Sequence, residues 1–342
     1  MRRIFFIILF TGFNTVAYNQ VIKGTILEEG TKSTISTAAI YYAGTFVGTL
    51  ADKNGNFELD ISKNTLMPLT ISSIGYYSLT LTEYSTEKPL IIYLTPKLYE
   101  LKEVVISSRP LFRKRKEYLK LFKDVFLGTT YNARNCEIIN ENDITFYYDS
   151  SQDTLKAIAS KPILINNRAL GYKIRYYLDK FEYYENSGTF FFKGSIIFIE
   201  DLISEKTDKK LSGQLYEKRR KNAYLGSRMH FFRALWADNL KSAGFLIKNS
   251  EEEYLHAKDI VIQEESHSMD SLNEKLKYLK YPENLQIYYT SWSNIIFLNP
   301  IVDFNKDGRY DDLGIHWEGE MSIKRIGDLL PFEYNESGNK NR

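Results

Sequence analysis

From Val21 to about Leu94 the chain runs in short stretches of alternating apolar and polar residues, punctuated by turn formers about every 8 to 12 residues, the rhythm of a β-sandwich. Phe57, Leu59 and Ile61 fall on one face of such a stretch, and Leu69 with Ile71 and Leu79 with Leu81 repeat the pattern. Seven strands are predicted, near residues 20–27, 39–43, 46–50, 56–61, 67–73, 76–81 and 90–94. Asn54-Gly55 sits where a tight hairpin needs positive φ, and Gly44-Thr45 separates two strand-like runs. Asp52, three residues before Gly55, is placed to hold that turn with its own carboxylate.

Past Pro110 the period changes. Leu111, Tyr118, Leu119, Phe122, Val125 and Phe126 share one helical face, and Gly128 follows as a stop, so a helix is predicted over 111–129. Strand-like runs follow at 144–148, 155–159, 163–165, 172–181 and 189–199, the last two joined through Asn186-Ser187-Gly188. A second helical region spans 209–243 and is interrupted near Gly226. Its latter half begins at a Ser227 cap, carries Leu225, Met229, Phe232, Trp236 and Leu240 on one stripe, and is expected to end before Gly244. Strands return from Phe245, and the polar tail 335–342 reads as disordered. The fold class expected is mostly β with α: a sandwich over 18–108, then an α+β domain over 109–334.

The order Gly24, Ala39, Gly44, Gly48-Thr49, Asp52, Gly55, Phe57 and Ile74-Gly75-Tyr76 resembles the carboxypeptidase-regulatory-like domain, a transthyretin-like sandwich. Leu101 to Arg109 resembles the segment that closes this module in TonB-dependent receptors. The resemblance implies a non-catalytic module of the kind found beside some metallocarboxypeptidases and at the front of exported Gram-negative proteins. Gly171-Tyr172, Tyr224 to Leu235 and Arg325 to Tyr334 are similar to stretches of uncharacterised exported proteins with the same front module, a likeness that carries no activity.

The ends and the charge change the picture further. Arg2 and Arg3, an apolar run from Ile4 to Phe13 and the small-residue site Thr15-Val16-Ala17 read as a signal peptide over 1–17. That predicts export to the periplasm or the outer-membrane surface, with a mature chain starting near Tyr18 and lacking a transmembrane segment. The single cysteine, Cys136, excludes an intrachain disulfide and reads as a small buried apolar residue. Without Arg2 and Arg3 the chain carries 43 basic and 43 acidic residues, a balance that argues against nucleic acid as a partner. The basic run around Arg219 and Arg220 reads as a solvated helix face.

Candidate chemistry is sparse. The four histidines, His230, His256, His267 and His316, form no HExxH; the nearest approach to a metal pair is His316 with Glu318 on one strand face. GxSxG, GxGxxG and GxxxxGK[ST] are absent, and Ser227 beside His230 reads as a helix cap. Asp303, Asn305, Asp307, Gly308 and Asp311 follow the spacing of a calcium loop, but Gly314 stands where the bidentate carboxylate belongs. A hairpin turn braced by Asp and Asn side chains explains the same residues. No other cofactor is implied. His230 and Arg233, one turn apart opposite the apolar stripe, are the candidate ligand-binding residues together with Tyr224, with which they would line a groove; a hydrogen-bonded link between helix and sheet is the structural alternative. The function expected is that of a non-catalytic exported envelope protein binding another envelope protein or a peptide or glycan. A hydrolase acting on peptides or glycans through scattered carboxylates is the alternative.

Overall fold

In the computed structural model residues 20–62, 66–97, 111–201, 209–262 and 276–336 are described. The leader over 1–17, the Leu101 to Arg109 segment, His267 and the tail from 337 lie outside the described residues.

The alternating N-terminal pattern folds as seven strands: β1 (Val21–Glu28), β2 (Ala39–Tyr42), β3 (Gly48–Leu50), β4 (Asn56–Asp60), β5 (Leu69–Ser72), β6 (Leu79–Leu81) and β7 (Leu90–Leu94). They form two sheets, β4-β1-β7 and β3-β2-β5-β6, with β1 and β7 parallel. Ile22, Ile26, Ile40, Phe57, Leu59, Ile71 and Ile92 fill the space between them. Each large apolar side chain so buried contributes roughly 1.5 to 3 kcal/mol. The turn before β4 forms as its residues dictate: Asp52 Oδ1 accepts the N–H groups of Asn54 and Asn56, each at 2.8 Å, and Gly55 adopts φ +77°.

Helix α1 (Leu111–Phe126) and the short α2 (Tyr131–Arg134) lead into β8 (Cys136–Ile138), β9 (Ile144–Asp149), β10 (Thr154–Ala159), β11 (Ile163–Asn167), β12 (Tyr172–Tyr184) and β13 (Thr189–Asp201). The helix stops three residues earlier than its apolar pattern suggested, and Gly128 turns the chain at φ +98°. β12 and β13 form one long hairpin through Gly188. The other edge of β12 is shared, β11 pairing with its first half and β10 with its last residues. Phe122 and Phe126 of α1 pack on this sheet against Phe181 and Tyr176.

Two helices follow, α3 (Lys209–Tyr224) and α4 (Arg228–Trp236), broken at Gly226, whose φ is +66°. Ser227 Oγ accepts the His230 N–H at 3.1 Å, as an N-cap should. α4 ends at Trp236 and not near Gly244, because Asp238 takes φ +52° and the following turns carry Leu240 back into the core. Nor is a single stripe buried. His230, Phe231, Phe232, Ala234 and Leu235 are all interior, since α4 lies between two apolar clusters.

The remaining elements are β14 (Leu246–Lys248), β15 (Tyr254–Leu255), α5 (Ala257–Ile260), β16 (Val261–Ile262), β17 (Lys277–Leu279), β18 (Leu285–Tyr288), β19 (Trp292–Phe297), β20 (Val302–Phe304), β21 (Ile315–Gly319) and α6 (Glu320–Ile323). They build the sheets β15-β14-β18-β19-β21 and β16-β17-β20 around Phe231, Phe245, Ile287, Ile295, Phe304 and Trp317. The stretch after residue 110 thus holds two hydrophobic clusters. No helix among the described residues is long and apolar enough to cross a membrane.

The turn between β2 and β3 docks the sandwich on the free edge of β13. Gly44 donates its N–H to Ile196 O at 2.7 Å, and Phe198 donates to Thr45 O at 2.9 Å. Phe46 packs against Tyr172 and Phe198, and Tyr41 stacks on Tyr177 at 5.5 Å. The C-terminal segment closes the joint: Phe332 donates to Gly44 O at 2.8 Å, and Glu333 Oε1 accepts the Phe46 N–H at 2.8 Å.

Candidate functional site

Tyr224 ends α3, and His230 and Arg233 lie on the next helix, so the break at Gly226 folds them toward one another. The Tyr224 and His230 rings are 4.7 Å apart, and the Arg233 guanidinium lies 5.6 Å from the Tyr224 ring. His230 is buried between Tyr224, Phe245 and Tyr289, and its Nδ1 accepts the Gly226 N–H at 3.2 Å. Burial lowers its pKa to about 4, so the ring is neutral at ordinary pH. Arg233 is engaged with main chain: Nε donates to Asp307 O at 2.9 Å, Nη1 to Tyr334 O at 2.8 Å and Nη2 to Phe332 O at 2.9 Å. The three residues therefore meet, behind the C-terminal segment rather than on an open wall.

In front of them lies a cleft of about 380 Å³ where the sandwich, α3 and the C-terminal segment join. Phe46, Tyr172 and Tyr334 supply aromatic surface, and Lys218, Lys221 and Glu336 its ionic rim. Tyr334 packs tilted against Tyr224 with ring centres 5.4 Å apart, which connects the cleft to the predicted trio. Lys221 pairs with Glu336 at 2.9 Å, so the first residues of the expected tail, Asn335 and Glu336, are placed against α3.

The basic run is only in part the solvated face expected: Glu217, Lys218 and Lys221 are exposed, whereas Arg219 and Arg220 are half-buried. Arg220 donates Nε to Leu170 O at 2.8 Å and lies 4.1 Å from the Tyr172 ring, while Arg219 reaches the Tyr131 hydroxyl at 3.1 Å. The turn at 169–172 draws both guanidinium groups inward. Tyr172 and Tyr334 lie in distinctive stretches of the sequence, but 48 and 114 positions separate them from Arg220, so nothing local joins the three.

The other candidates fall elsewhere. Asn305 is buried, and its Oδ1 accepts the N–H groups of Asp307 and Arg309, each at 3.0 Å. Asp311 Oδ1 accepts the Leu313 N–H at 3.1 Å, and its Oδ2 accepts Asn299 Nδ2 at 3.2 Å. The loop from Asp303 to Asp311 is thus a braced turn between β20 and the Phe304–Tyr310 bridge, docked on α4 through Arg233. No group of three or more His, Cys, Asp or Glu among the described residues is arranged to hold a metal. His316 is exposed on β21, and Glu318, on the same face, accepts Asn294 Nδ2 at 3.2 Å. Cys136 is half-buried rather than buried; burial pushes its thiol up to about 12, the state of an unreactive sulfur. Asp328 is a carboxyl whose pKa burial raises. It is wedged between Thr130 Oγ1 at 2.7 Å and Asn132 Nδ2 at 2.8 Å, and lines none of the described clefts.

With this geometry in place, residues 22–106 match the family model of the CarboxypepD_reg-like domain, about a quarter of the chain. That module is a regulatory-type β-sandwich without catalytic function of its own. No curated protein matches the chain.

Proposed function

We propose that the protein is an exported, non-catalytic component of a bacterial envelope, in which the regulatory-like sandwich braces a recognition lobe and the junction cleft receives an extended segment of another envelope protein. The observation that carries this reading is the joint itself. Sandwich, helix and C-terminal segment each supply a wall of the cleft; main-chain hydrogen bonds lock the sandwich to β13 and to the C-terminal segment, and the Arg220 and Lys221 side chains hold the helix against them, so the cleft is preformed. Aromatic surface flanked by ions of both signs suits a peptide chain better than a polyanion.

Two measurements test it. N-terminal sequencing of the native protein is expected to find a start near Tyr18, and a retained Met1 overturns export. Glu217 and Lys218 are exposed on the cleft rim. The double variant Glu217→Lys, Lys218→Glu is expected to weaken capture of the envelope partner at least tenfold at unchanged Tm. Undiminished capture removes the cleft from the proposal.

A further inference from the structure

The sheet β15-β14-β18-β19-β21 has one face on the core and one face open. Ile247, Leu285, Ile287, Ser293, Ile295, Ile315 and Trp317 point inward, so the alternation of each strand turns its other residues out. The pairing register sets the outward residues in two rows. Tyr254, Lys248, Gln286, Asn294 and Glu318 form one row, and Leu246, Tyr288 and Trp292 form the next. Trp292 is 51% exposed, Tyr254 61% and Leu246 45%, a density of bare aromatic and apolar surface on adjoining strands that a folded chain does not leave to water without use.

The polar groups between the rings are matched within the face. Lys248 pairs with Glu252 at 2.6 Å and lies 5.0 and 5.6 Å from the Tyr254 and Tyr288 rings. Tyr288 donates its hydroxyl to Gln286 Oε1 at 3.2 Å, and Asn294 donates to Glu318. The Trp292 indole lies over the bare backbone of Gly319, where a Cβ would come within 2.9 Å of its Cε3. A cleft of about 840 Å³, lined by Leu246, Tyr254, Asn239 and Ser242 among others, continues the face past β14 and β15.

We propose that this face binds a neutral glycan, with Tyr254, Tyr288 and Trp292 stacking on sugar rings and the carboxamides of Gln286 and Asn294 meeting their hydroxyls. Three features choose this partner. A pyranose presents a flat C–H face that packs on an aromatic ring, and its equatorial hydroxyls then reach sideways to amides. Strands about 4.8 Å apart spread the three rings across four strands, the span of a short oligosaccharide rather than of one sugar. Lys248 and Glu252 neutralise one another and the Glu318 carboxylate accepts the Asn294 amide, so the face carries too little charge to recruit a polyanion or a polycation. A protein partner would call for a broad apolar centre inside a polar rim, whereas here a single apolar row, Leu246, Tyr288 and Trp292, lies beside a polar row of Lys248, Gln286, Asn294 and Glu318. The surface shares no residue with the junction cleft, and the proposal stands apart from what occupies that cleft.

The test is affinity electrophoresis and calorimetry of the full chain with four neutral polysaccharides: hydroxyethylcellulose, a mixed-linkage β-glucan, a galactomannan and dextran. At least one is expected to retard the protein, with little change between low and high salt. Trp292→Ala and Tyr254→Ala are each expected to weaken binding at least tenfold with Tm held, and Trp292→Phe to retain most of it. Tryptophan fluorescence should shift with the bound polysaccharide in the parent and not in Trp292→Ala. Retardation by none of the four, binding that both alanine variants keep, or binding abolished by salt would each overturn the proposal. Capture of a protein through Trp292 without any polysaccharide would overturn it in favour of a protein interface.

Discussion

At the scale of single residues, the neutral His230 carries a cost that grows in acid. Its native pKa is about 4 and its unfolded value near 6.5, so between these the unfolded chain takes up a proton that the folded chain refuses. Stability present above pH 6.5 is therefore lost as the pH falls through that window, and the loss levels off below about 4. Its size across the whole window is roughly 3 kcal/mol. Because the His230 ring packs between the rings of Tyr224 and Phe245, His230→Phe keeps the packing and removes the titration. Melting curves at pH 7 and pH 4.5 are expected to lie closer together for this variant than for the parent, even though the Gly226 N–H loses its acceptor. An equal or greater acid loss in the variant would show that other groups govern the acid limb. Arg233 teaches the complementary lesson: its donors fit three carbonyls that come from two distant segments, and a lysine, with one compact ammonium, could not span them.

At the scale of elements, what was legible in the sequence was what neighbours encode. The seven sandwich strands, the Asp52 turn, the Asn186 to Gly188 hairpin, α1 and the Gly226 break with its Ser227 cap all rest on residues within a few positions of one another. The cap makes a direct prediction: Ser227→Ala removes the oxygen that accepts the His230 N–H and is expected to cost about 1 kcal/mol, read as a fall in Tm without change of fold. A fall no larger than for an exposed Ser→Ala control would mean the cap is idle. What was not legible depended on distant partners. The sequence of α4 shows a single apolar stripe, because nothing local says that a second sheet will cover its other side. β8 and the strands β14 to β17 are too short to show a period. The candidate trio was found because its members sit close in the chain. The cleft before it was missed because Phe46, Tyr172, Arg220 and Tyr334 meet only through tertiary structure.

For the whole molecule, the question is whether the front module hangs from the chain or belongs to it. Packed modules in one chain move against each other by default, unless their interface is large or specific. Here the interface includes main-chain bonding of the kind that joins strands, since the Gly44-Thr45 turn pairs with Ile196 and Phe198 on the open edge of β13 and shields that stretch from pairing with other chains. Gly44 is the keystone. It adopts φ +78°, a Cβ there would stand 2.5 Å from the Phe332 ring, and both its main-chain polar groups are used, toward Ile196 and Phe332. Any side chain brings a left-handed backbone penalty of roughly 1 to 2 kcal/mol as well as a clash. Calorimetry of the full chain is therefore expected to show the sandwich and the lobe melting in one transition. Gly44→Val should divide it in two, each part retaining its strand signal at 20 °C, and should raise the tendency to associate, because the β13 edge is then uncovered. The parent melting in two separate steps would mean that the turn rests on the lobe without coupling to it, and the sandwich would then be a handle rather than a brace.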